Sequence, residues 1–313
     1  MNVSTEAFAL GSVAGNSKWD AFFSPPLVLI ADVVRENTGS SAETAQLIAE
    51  TVMWCIVFPV FTVILAYWPG LLFFDYVDKT HKPEFIYKRK IQPNKLASAK
   101  LLSQQSLYGE TIGSLYSIFV VSSLKYNAPF FVFMRWTFGF QLIGGEVPTM
   151  LELAKNVVLG LLLLDVFYFF NHWAWHTNPT LYKYVHKFHH EYMVSNIYTH
   201  NYFNAPESYL TFFFCYFPPA ILLNMHPMTY LLMITTFQLV DNFWHAGYYL
   251  PWLPMNWFPS IWSDQTFHDY HHRRPDQGAY GLFIRPLDTL FGTDRGYAKW
   301  RATWSKYPGE HAS

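Results

Sequence analysis

Histidine is the residue type in this sequence whose spacing points most directly to chemistry. The chain has 13 histidines among 313 residues, and eight of them fall into three short clusters. On a helix, spacings of three and four residues place side chains on one face. Imidazoles that converge in this way bind metal ions at about 2 Å, so the clusters predict a metal site. The clustered residues are His172, His176, His186, His189, His190, His268, His271 and His272.

The second and third clusters share the pattern H-x-x-H-H, which predicts how their imidazoles divide. Each copy contains an i,i+4 pair that stacks on one helix face. We expect the middle histidine, His189 in one copy and His271 in the other, to add a third nitrogen to the pair of its own copy. Eight imidazoles are too many for one closed four-ligand site, so two metal ions fit the pattern better.

Spacing alone leaves the identity of the metal open, because imidazole binds iron, copper, zinc and nickel alike. The zinc-protease motif H-E-x-x-H fails, since Val194 stands where the second histidine after His190 is needed. Structural zinc normally recruits cysteine, and the two cysteines, Cys55 and Cys215, lie in apolar runs. A pair of haems bound by histidine pairs is an alternative that the adjacent His189 and His190 fit poorly.

Several residues outside the clusters are candidates for binding or orienting the metal. His245, in Asp241-Asn-Phe-Trp-His, is predicted as a ninth ligand, and His200 as a ligand or a residue that supports one. Carboxylates close to the ligands typically orient metal-bound imidazoles. The carboxylates close in sequence to the ligands are Asp165, Glu191, Glu207, Asp241 and Asp269. The supporting role is assigned to Asp165, His200, Asp241 and Asp269.

The composition indicates that a membrane helps to hold these clusters. Charged residues make up 14% of the chain and hydrophobic residues 51%, whereas a soluble domain has about 25% charged residues. A mean hydropathy of only +0.09 indicates a sizeable polar part as well. The formal net charge of −1 gives no field that favours nucleic acid. Two cysteines in apolar runs argue against a disulfide scaffold.

The apolar stretches predict an all-α integral membrane fold, with transmembrane helical hairpins and a cytosolic histidine-rich helical cap. Residues 51–74 carry no charge and are long enough to span a bilayer, and Pro59 and Pro69 are expected to kink that helix or turn it back. Residues 208–240 are expected to turn at Met225-His226-Pro227. Residues 111–124 and 128–140 are expected to form a helical hairpin, and residues 150–171 a helix that leads into the histidine clusters.

The predicted organisation is one domain with short flanking segments. Residues 1–45 are expected to be a polar, mobile segment with an apolar patch at 25–34, and residues 306–313 a tail. The domain covers residues 46–305. Seven basic residues in 79–100 predict a cytosolic loop by the positive-inside rule.

Three blocks of the sequence resemble the fatty acid hydroxylase superfamily of integral-membrane di-iron enzymes. The first is Asp165-x-Phe-Tyr-x-x-x-His172-x-x-x-His176, and the second runs from Asn178-Pro179 to His189-His190. The third is Phe267-His-Asp-Tyr-His-His272, followed by Gly278-Ala-Tyr-Gly281 and Asp288-Thr-Leu-Phe-Gly-Thr293. Phe-Gly-Thr-Asp294 and Tyr87-Lys-Arg-Lys-Ile-Gln92 look most like sterol 4-methyl oxidases, with cholesterol 25-hydroxylases and sterol C-5 desaturases next nearest.

The resemblance implies a multi-pass enzyme of the endoplasmic reticulum membrane whose active site faces the cytosol. It implies two iron ions bound by the eight clustered histidines and His245, O₂ as oxidant, and electrons from NAD(P)H through a reductase and a b-type cytochrome. The implied reaction is oxidation of the C-4 methyl group of a sterol. A 25-hydroxylase-like enzyme, a desaturase and a non-catalytic metal-binding membrane protein are the alternatives.

This chain departs from the pattern of the superfamily at three places. Asn204-Ala-Pro-Glu207 stands where His-Pro-x-Glu is usual, Ala279 replaces a frequent asparagine, and Leu287 replaces the usual tryptophan before Asp288. These departures bear on the sterol subfamily more than on the metal site.

Overall fold

Helices are the regular elements of the described part of the chain, and no β-strand occurs there. Two isolated antiparallel bridges join Lys90 to Tyr248 and Trp262 to Ile284. The predicted helical class is therefore confirmed for these residues. The computed structural model describes residues 18–93, 132–133, 136–137 and 148–304. The predicted pieces 111–124 and 128–140 lie outside the described residues, apart from 132–133 and 136–137.

We number the helices of the described residues in chain order. They are α1 (Lys18–Thr38), α2 (42–80), α3 (Glu84–Tyr87), α4 (Met150–Thr177), α5 (179–186), α6 (205–222), α7 (Pro227–His245), α8 (Gln265–Arg273), α9 (Pro286–Phe291) and α10 (Arg295–Thr303). Short 3₁₀-helices lie at His189–Glu191, Ile197–Thr199 and Pro254–Asn256.

Helix α2 is continuous, although the prolines at 59 and 69 predict a kink or a turn. It contains π-helical turns at Met53–Val57 and Val63–Tyr67, and each turn ends just before a helical segment with proline at its second position. Proline lacks an N–H and its ring collides with the carbonyl four residues earlier. A wider π turn relieves that collision, so the helix continues and does not turn back as a hairpin. The same arrangement recurs in α6, where Phe212–Tyr216 precedes Pro218.

Helix α1 differs from the polar, mobile segment expected for the first 45 residues. Residues 18–38 form a helix, and the side chains of Leu27 and Ala31 are buried in the main core. Ile30 and Val34 pack against the same core. These positions recur at helical spacing and form one apolar face, so the short apolar patch is what fixes this helix.

Two helical stretches are long and apolar enough to cross a membrane. They are Phe58–Thr80 within α2 and Met150–Thr177, which is α4. A capping box starts α4, since Thr149 and Glu152 each accept the other's backbone N–H. Its 28 residues span about 42 Å, enough for a bilayer core and a further turn. Together with the composition, these helices indicate a membrane protein.

Helices α6 and α7 form the hairpin predicted for 208–240. The chain turns between Leu222 and Pro227, and the His226 side chain accepts the N–H of Met228 as the cap of α7. The rings of Phe217 and Tyr230 stack across the hairpin at 5.5 Å. The chain therefore turns within the expected stretch, and a transmembrane hairpin at 208–240 stays a prediction.

The core brings the C-terminal ends of α4 and α7 together. Buried side chains of α1, α2, α4, α6 and α7 share one apolar cluster, which includes Phe58, Leu164 and Phe237. Glycines allow close approach at two crossings: Gly70 of α2 faces Asn242 of α7, and Gly160 of α4 faces Met233. The histidine clusters lie where these two helices end.

Candidate metal centre

Five imidazoles converge where α4, α5 and α8 meet. In this five-histidine group, one nitrogen of each residue lies within 4.8 Å of all the others. The Nε2 atom of His186 is 2.9 Å from that of His172 and 3.0 Å from that of His190. The Nε2 atom of His271 is 3.1 Å from that of His190. The members are His172, His176, His186, His190 and His271.

Four further imidazoles converge beside the first group. In this four-histidine group, the Nε2 atom of His268 lies 2.8 Å from that of His245 and 3.1 Å from that of His272. All four side chains are buried. The members are His189, His245, His268 and His272. The predicted ninth ligand, His245, therefore lies among the clustered histidines.

The hydrogen bonds of the other ring nitrogens fix the protonation of several imidazoles. His172 Nδ1 faces the Tyr280 carbonyl at 2.8 Å, and His271 Nδ1 faces the Gly278 carbonyl at 3.0 Å. In the four-histidine group, His272 Nδ1 faces the Tyr192 carbonyl at 3.0 Å. A carbonyl only accepts, so each of these Nδ1 atoms carries the proton and each Nε2 atom presents a lone pair.

The lone pairs that meet at the centre of each group fit a bound cation. Burial, reinforced by neighbouring imidazoles, lowers the pKa of His186, His190 and His268 well below the ordinary value. Burial lowers the pKa of His271 to about 4. The imidazoles are therefore neutral, and no extra proton relieves the repulsion between the lone pairs that face one another. Two nitrogens bound at right angles to one metal ion lie about 3 Å apart, which matches the observed separations.

The grouping differs from the sequence-based prediction in one respect. The pairs His186/His190 and His268/His272 each stay together, but the middle histidine of each motif lies in the other group. His189 joins the four-histidine group, and His271 joins the five-histidine group. The i,i+4 side chains stack on one helix face, whereas the third position points to the side, where the neighbouring segment lies.

Local structure around the second cluster also differs from a regular α-helix. Asn178 caps α5 by accepting the N–H groups of Thr180 and Leu181. The chain then forms a π-helical turn, Tyr182–His186, and a 3₁₀-helix, His189–Glu191. The division of His189 from His190 does not require this change of pitch, because His271 and His272 divide in the same way within the regular helix α8.

Each group contains one imidazole that faces a buried carboxylate. His186 Nδ1 lies 2.7 Å from Glu207 Oε1 in the five-histidine group. His245 Nδ1 lies 3.1 Å from Asp241 Oδ1 in the four-histidine group. Carboxylates in this position fix the ring and raise the basicity of the other nitrogen. Sequence proximity points to both carboxylates. Glu207 is placed by the departing Asn204-Ala-Pro-Glu207 motif, in which Asn204 accepts the Glu207 N–H.

The remaining supporting candidates lie near the groups but do not all touch an imidazole. His200 lies in neither group; its Nε2 is 3.0 Å from Asp241 Oδ2, and its Nδ1 donates to Asn242 Oδ1 at 2.8 Å. Asp269 accepts hydrogen bonds from Gln92 and Arg273. Asp165 accepts backbone N–H groups of residues 282–284. Sequence reasoning gave no role to Asp288, although it lies in the quoted third block.

Aromatic rings surround the least buried member of the five-histidine group. His176 is partly exposed, while the other four members are buried. The Tyr280 ring stacks on His176 at 5.1 Å, and the Tyr182 ring lies 5.5 Å away. Burial raises the pKa of Tyr280 to about 12, so its phenol keeps its proton. This side of the group is therefore its most open approach.

A helical membrane-associated chain with two all-imidazole groups defines a narrow class of metalloproteins. Residues 157–293 match the family model "Fatty acid hydroxylase". A cholesterol 25-hydroxylase-like protein from Danio rerio is 30% identical over 240 residues, 75% of this chain and 90% of the relative. The chain belongs to the fatty acid hydroxylase family.

Other relatives bear different names at similar identity. A very-long-chain aldehyde decarbonylase from Oryza sativa subsp. indica is 32% identical over 189 residues, 59% of this chain and 70% of the relative. A methylsterol monooxygenase from Arabidopsis thaliana is 31% identical over 189 residues, 56% of this chain and 66% of the relative. No solved structure matches the chain. The family is one of iron-dependent oxygenases associated with membranes, which indicates an oxidoreductase.

Proposed function

We propose that the chain is a membrane-bound di-iron oxygenase that oxidises an unactivated C–H bond of a sterol. The observation that carries the proposal is the convergence of nine imidazoles in two groups, with the two His-His pairs divided between them. Iron bound there supplies the O₂ chemistry that side chains lack. Imidazole is a donor that suits iron. Among the described residues, neither group contains a cysteine.

The protein's own contribution is to hold the imidazoles and to keep water away. Backbone carbonyls and carboxylates fix several of the rings through Nδ1, as at His172, His186 and His245. Eight of the nine rings are buried, so bulk water has little access to the two groups. His176, flanked by Tyr182 and Tyr280, supports an approach for substrate on the five-histidine side.

The location of the groups supports a substrate that arrives from the membrane. His172 and His176 lie in the last turns of α4, which is one of the two candidate spans. A lipid within the bilayer therefore has a short path to the five-histidine group. We propose the endoplasmic reticulum membrane, with transmembrane hairpins and the histidine-rich cap facing the cytosol. Positive charge in the last turn of the Phe58–Thr80 span and just after it supports that side: Lys79, Lys82, Lys88, Arg89 and Lys90.

The C-4 methyl group of a sterol is the proposed site of oxidation. The methylsterol monooxygenase relatives, at 31% to 32% identity, support this choice. A second candidate is side-chain hydroxylation of a sterol, because the cholesterol 25-hydroxylase-like relative aligns over more of this chain, 75%. We propose NAD(P)H as the source of electrons, delivered through a reductase and a b-type cytochrome.

Sterol profiling tests the proposed reaction. The gene is supplied to cells that lack sterol 4-demethylation, and the disappearance of 4-methyl sterols supports C-4 oxidation. Persistence of these sterols together with a new side-chain hydroxysterol supports the second candidate instead. The matched control is His81→Asn, because His81 lies outside both groups and has φ 59°, a conformation that asparagine adopts readily.

Metal analysis separates the enzyme from a non-catalytic metal-binding protein. Full-length protein purified in detergent is expected to hold two iron ions per chain and to consume O₂ when NADH, reductase, cytochrome and sterol are all supplied. Zinc in both groups, with no O₂ consumption after iron reconstitution, would contradict the oxygenase proposal.

A further inference from the structure

The segment 278–284, which we call the clamped loop, supplies two carbonyls to the five-histidine group. The Gly278 carbonyl accepts the Nδ1–H of His271 at 3.0 Å, and the Tyr280 carbonyl accepts that of His172 at 2.8 Å. Rings of the four-histidine group use other partners. Among them, His189 Nδ1 faces the Tyr202 carbonyl at 3.2 Å, and His245 and His272 face Asp241 and the Tyr192 carbonyl.

Two carboxylates hold the clamped loop through its backbone. Asp288 of α9 accepts the N–H groups of Tyr280 at 2.8 Å and Gly281 at 2.7 Å. Asp165 of α4 accepts those of residues 282, 283 and 284 at 2.8, 2.7 and 3.1 Å. Five consecutive N–H groups therefore donate to two carboxylates, and both carboxylate side chains are fully buried. Hydrogen bonds to ionised acceptors are stronger than neutral ones.

The loop also packs too closely to move without disturbing these bonds. A Cβ added at Gly281 would lie 2.6 Å from Asp288 Oδ2, and one added at Gly278 would lie 1.9 Å from the Thr293 carbonyl. Thr293 in turn donates its hydroxyl to Asp288 Oδ1 at 2.6 Å.

The Tyr280 carbonyl that orients His172 shares its peptide unit with the Gly281 N–H, so Asp288 sets its position directly. The Gly278 carbonyl that orients His271 shares its peptide unit with the Ala279 N–H, which donates to the Thr293 carbonyl. Asp288 acts on that peptide through the neighbouring Tyr280 N–H and the Thr293 hydroxyl.

We propose that Asp165 and Asp288 are positioning residues for the five-histidine group and leave the four-histidine group unaffected. Neither carboxylate touches an imidazole; each acts through the clamped loop and its carbonyls. Replacement of either by asparagine removes the negative charge and one of the two acceptor oxygens. Backbone N–H groups then lose their partner in a buried site, the loop shifts, and two of the five imidazoles lose their orientation. The inference depends on the proposed metal binding, but not on the substrate.

The test is an anaerobic Fe²⁺ titration of full-length apoprotein, with a chelator as competitor. We expect Asp165→Asn and Asp288→Asn to bind the Fe²⁺ of the four-histidine group as the unsubstituted protein does. The Fe²⁺ of the five-histidine group should bind about 10- to 100-fold more weakly. Asp241→Asn is expected to weaken the binding of Fe²⁺ by the four-histidine group instead. Co²⁺ absorption spectra of His190→Ala and His189→Ala assign each equivalent to its group.

Asp294→Asn is the matched control. Asp294 is buried and bonded to Arg285 and Thr289, and it makes no hydrogen bond to the clamped loop. We expect both equivalents to bind normally in this variant. Thr293→Val, which removes one hydrogen bond to Asp288, is expected to give a smaller change at the same group and serves if the asparagine variants fail to fold.

Three outcomes are distinguishable. Equal weakening of both equivalents in Asp165→Asn and Asp288→Asn, or no weakening of either, would overturn the positioning role. The same selective loss in Asp294→Asn would also overturn it, because general destabilisation would then explain the result. Fewer than two equivalents in the unsubstituted protein would instead contradict the proposed di-iron function.

Discussion

His189 and His190 are consecutive in the chain, yet their imidazoles belong to different groups. The Nε2 atom of His190 lies 3.0 Å from that of His186, whereas the His189 ring lies 4.6 Å from the His272 ring. The pair His271 and His272 divides in the same way. Each pair therefore joins the two groups through a single peptide unit, which holds the two centres side by side.

This division predicts different metal losses for neighbouring substitutions. His189→Ala is expected to remove the metal of the four-histidine group, and His190→Ala that of the five-histidine group. Both should abolish turnover, because the proposed reaction uses both centres. Iron content and Co²⁺ spectra of the purified variants measure the effect. Identical spectra for the two variants would contradict the division, and His81→Asn, outside both groups, should behave like the unsubstituted protein.

Local periodicity made the histidine pairs predictable, but not their final partners. The i,i+4 spacing of His186 with His190 is a property of one helical segment, and it survives in the structure. The exchange of His189 and His271 depends on how the 3₁₀-helix His189–Glu191 packs against α8, and this packing joins residues 81 positions apart in the chain. Sequence spacing holds no information on that packing.

The carboxylates illustrate the same limit. Asp165 was expected to orient an imidazole because it is close in sequence to the predicted ligands. Its actual partners are backbone N–H groups 117 to 119 residues away, which no local pattern reports. The prolines of α2 show the converse case, where the chain does not turn back because the helix continues through π turns.

The carboxylates that face His186 and His245 should tune the affinity of their own group. Glu207→Gln keeps an acceptor 2.7 Å from His186 Nδ1 but removes the charge; Glu207→Ala removes both. We expect about a 10-fold and a 100-fold loss of affinity in the five-histidine group, respectively. Chelator competition measures both values. A loss confined to the four-histidine group would contradict the assignment of Glu207.

The close approach of α2 and α7 at Gly70 predicts a packing-sensitive site. A Cβ at Gly70 would lie 2.6 Å from Asn242 Cγ, and Asn242 also accepts the His200 Nδ1–H. Gly70→Ala should lower the free energy of unfolding by about 1–3 kcal/mol through overpacking. Gly160→Ala is the control, because its Cβ would meet the flexible ends of Met225 and Met233. Thermal unfolding in detergent compares the two variants. Equal losses of stability would contradict overpacking at Gly70.

Ala279 is the position where the chain can be stabilised. It lies in the clamped loop with φ 65°, a left-handed conformation that costs an L-residue about 1–2 kcal/mol. Glycine adopts this conformation without that cost. Its greater conformational entropy stabilises the unfolded chain, which offsets part of the gain. We therefore expect Ala279→Gly to raise the free energy of unfolding by about 1 kcal/mol.

The same substitution separates backbone strain from side-chain contacts at Ala279. The Ala279 N–H donates to the Thr293 carbonyl at 3.0 Å, and glycine keeps this bond. Thermal unfolding of the full-length protein in detergent measures the change, with Gly292→Ala as the opposite control. Gly292 has φ 71°, so alanine there introduces the strain that glycine removes at 279. A higher midpoint for Gly292→Ala, or a lower one for Ala279→Gly, would show that packing outweighs backbone conformation at the substituted position.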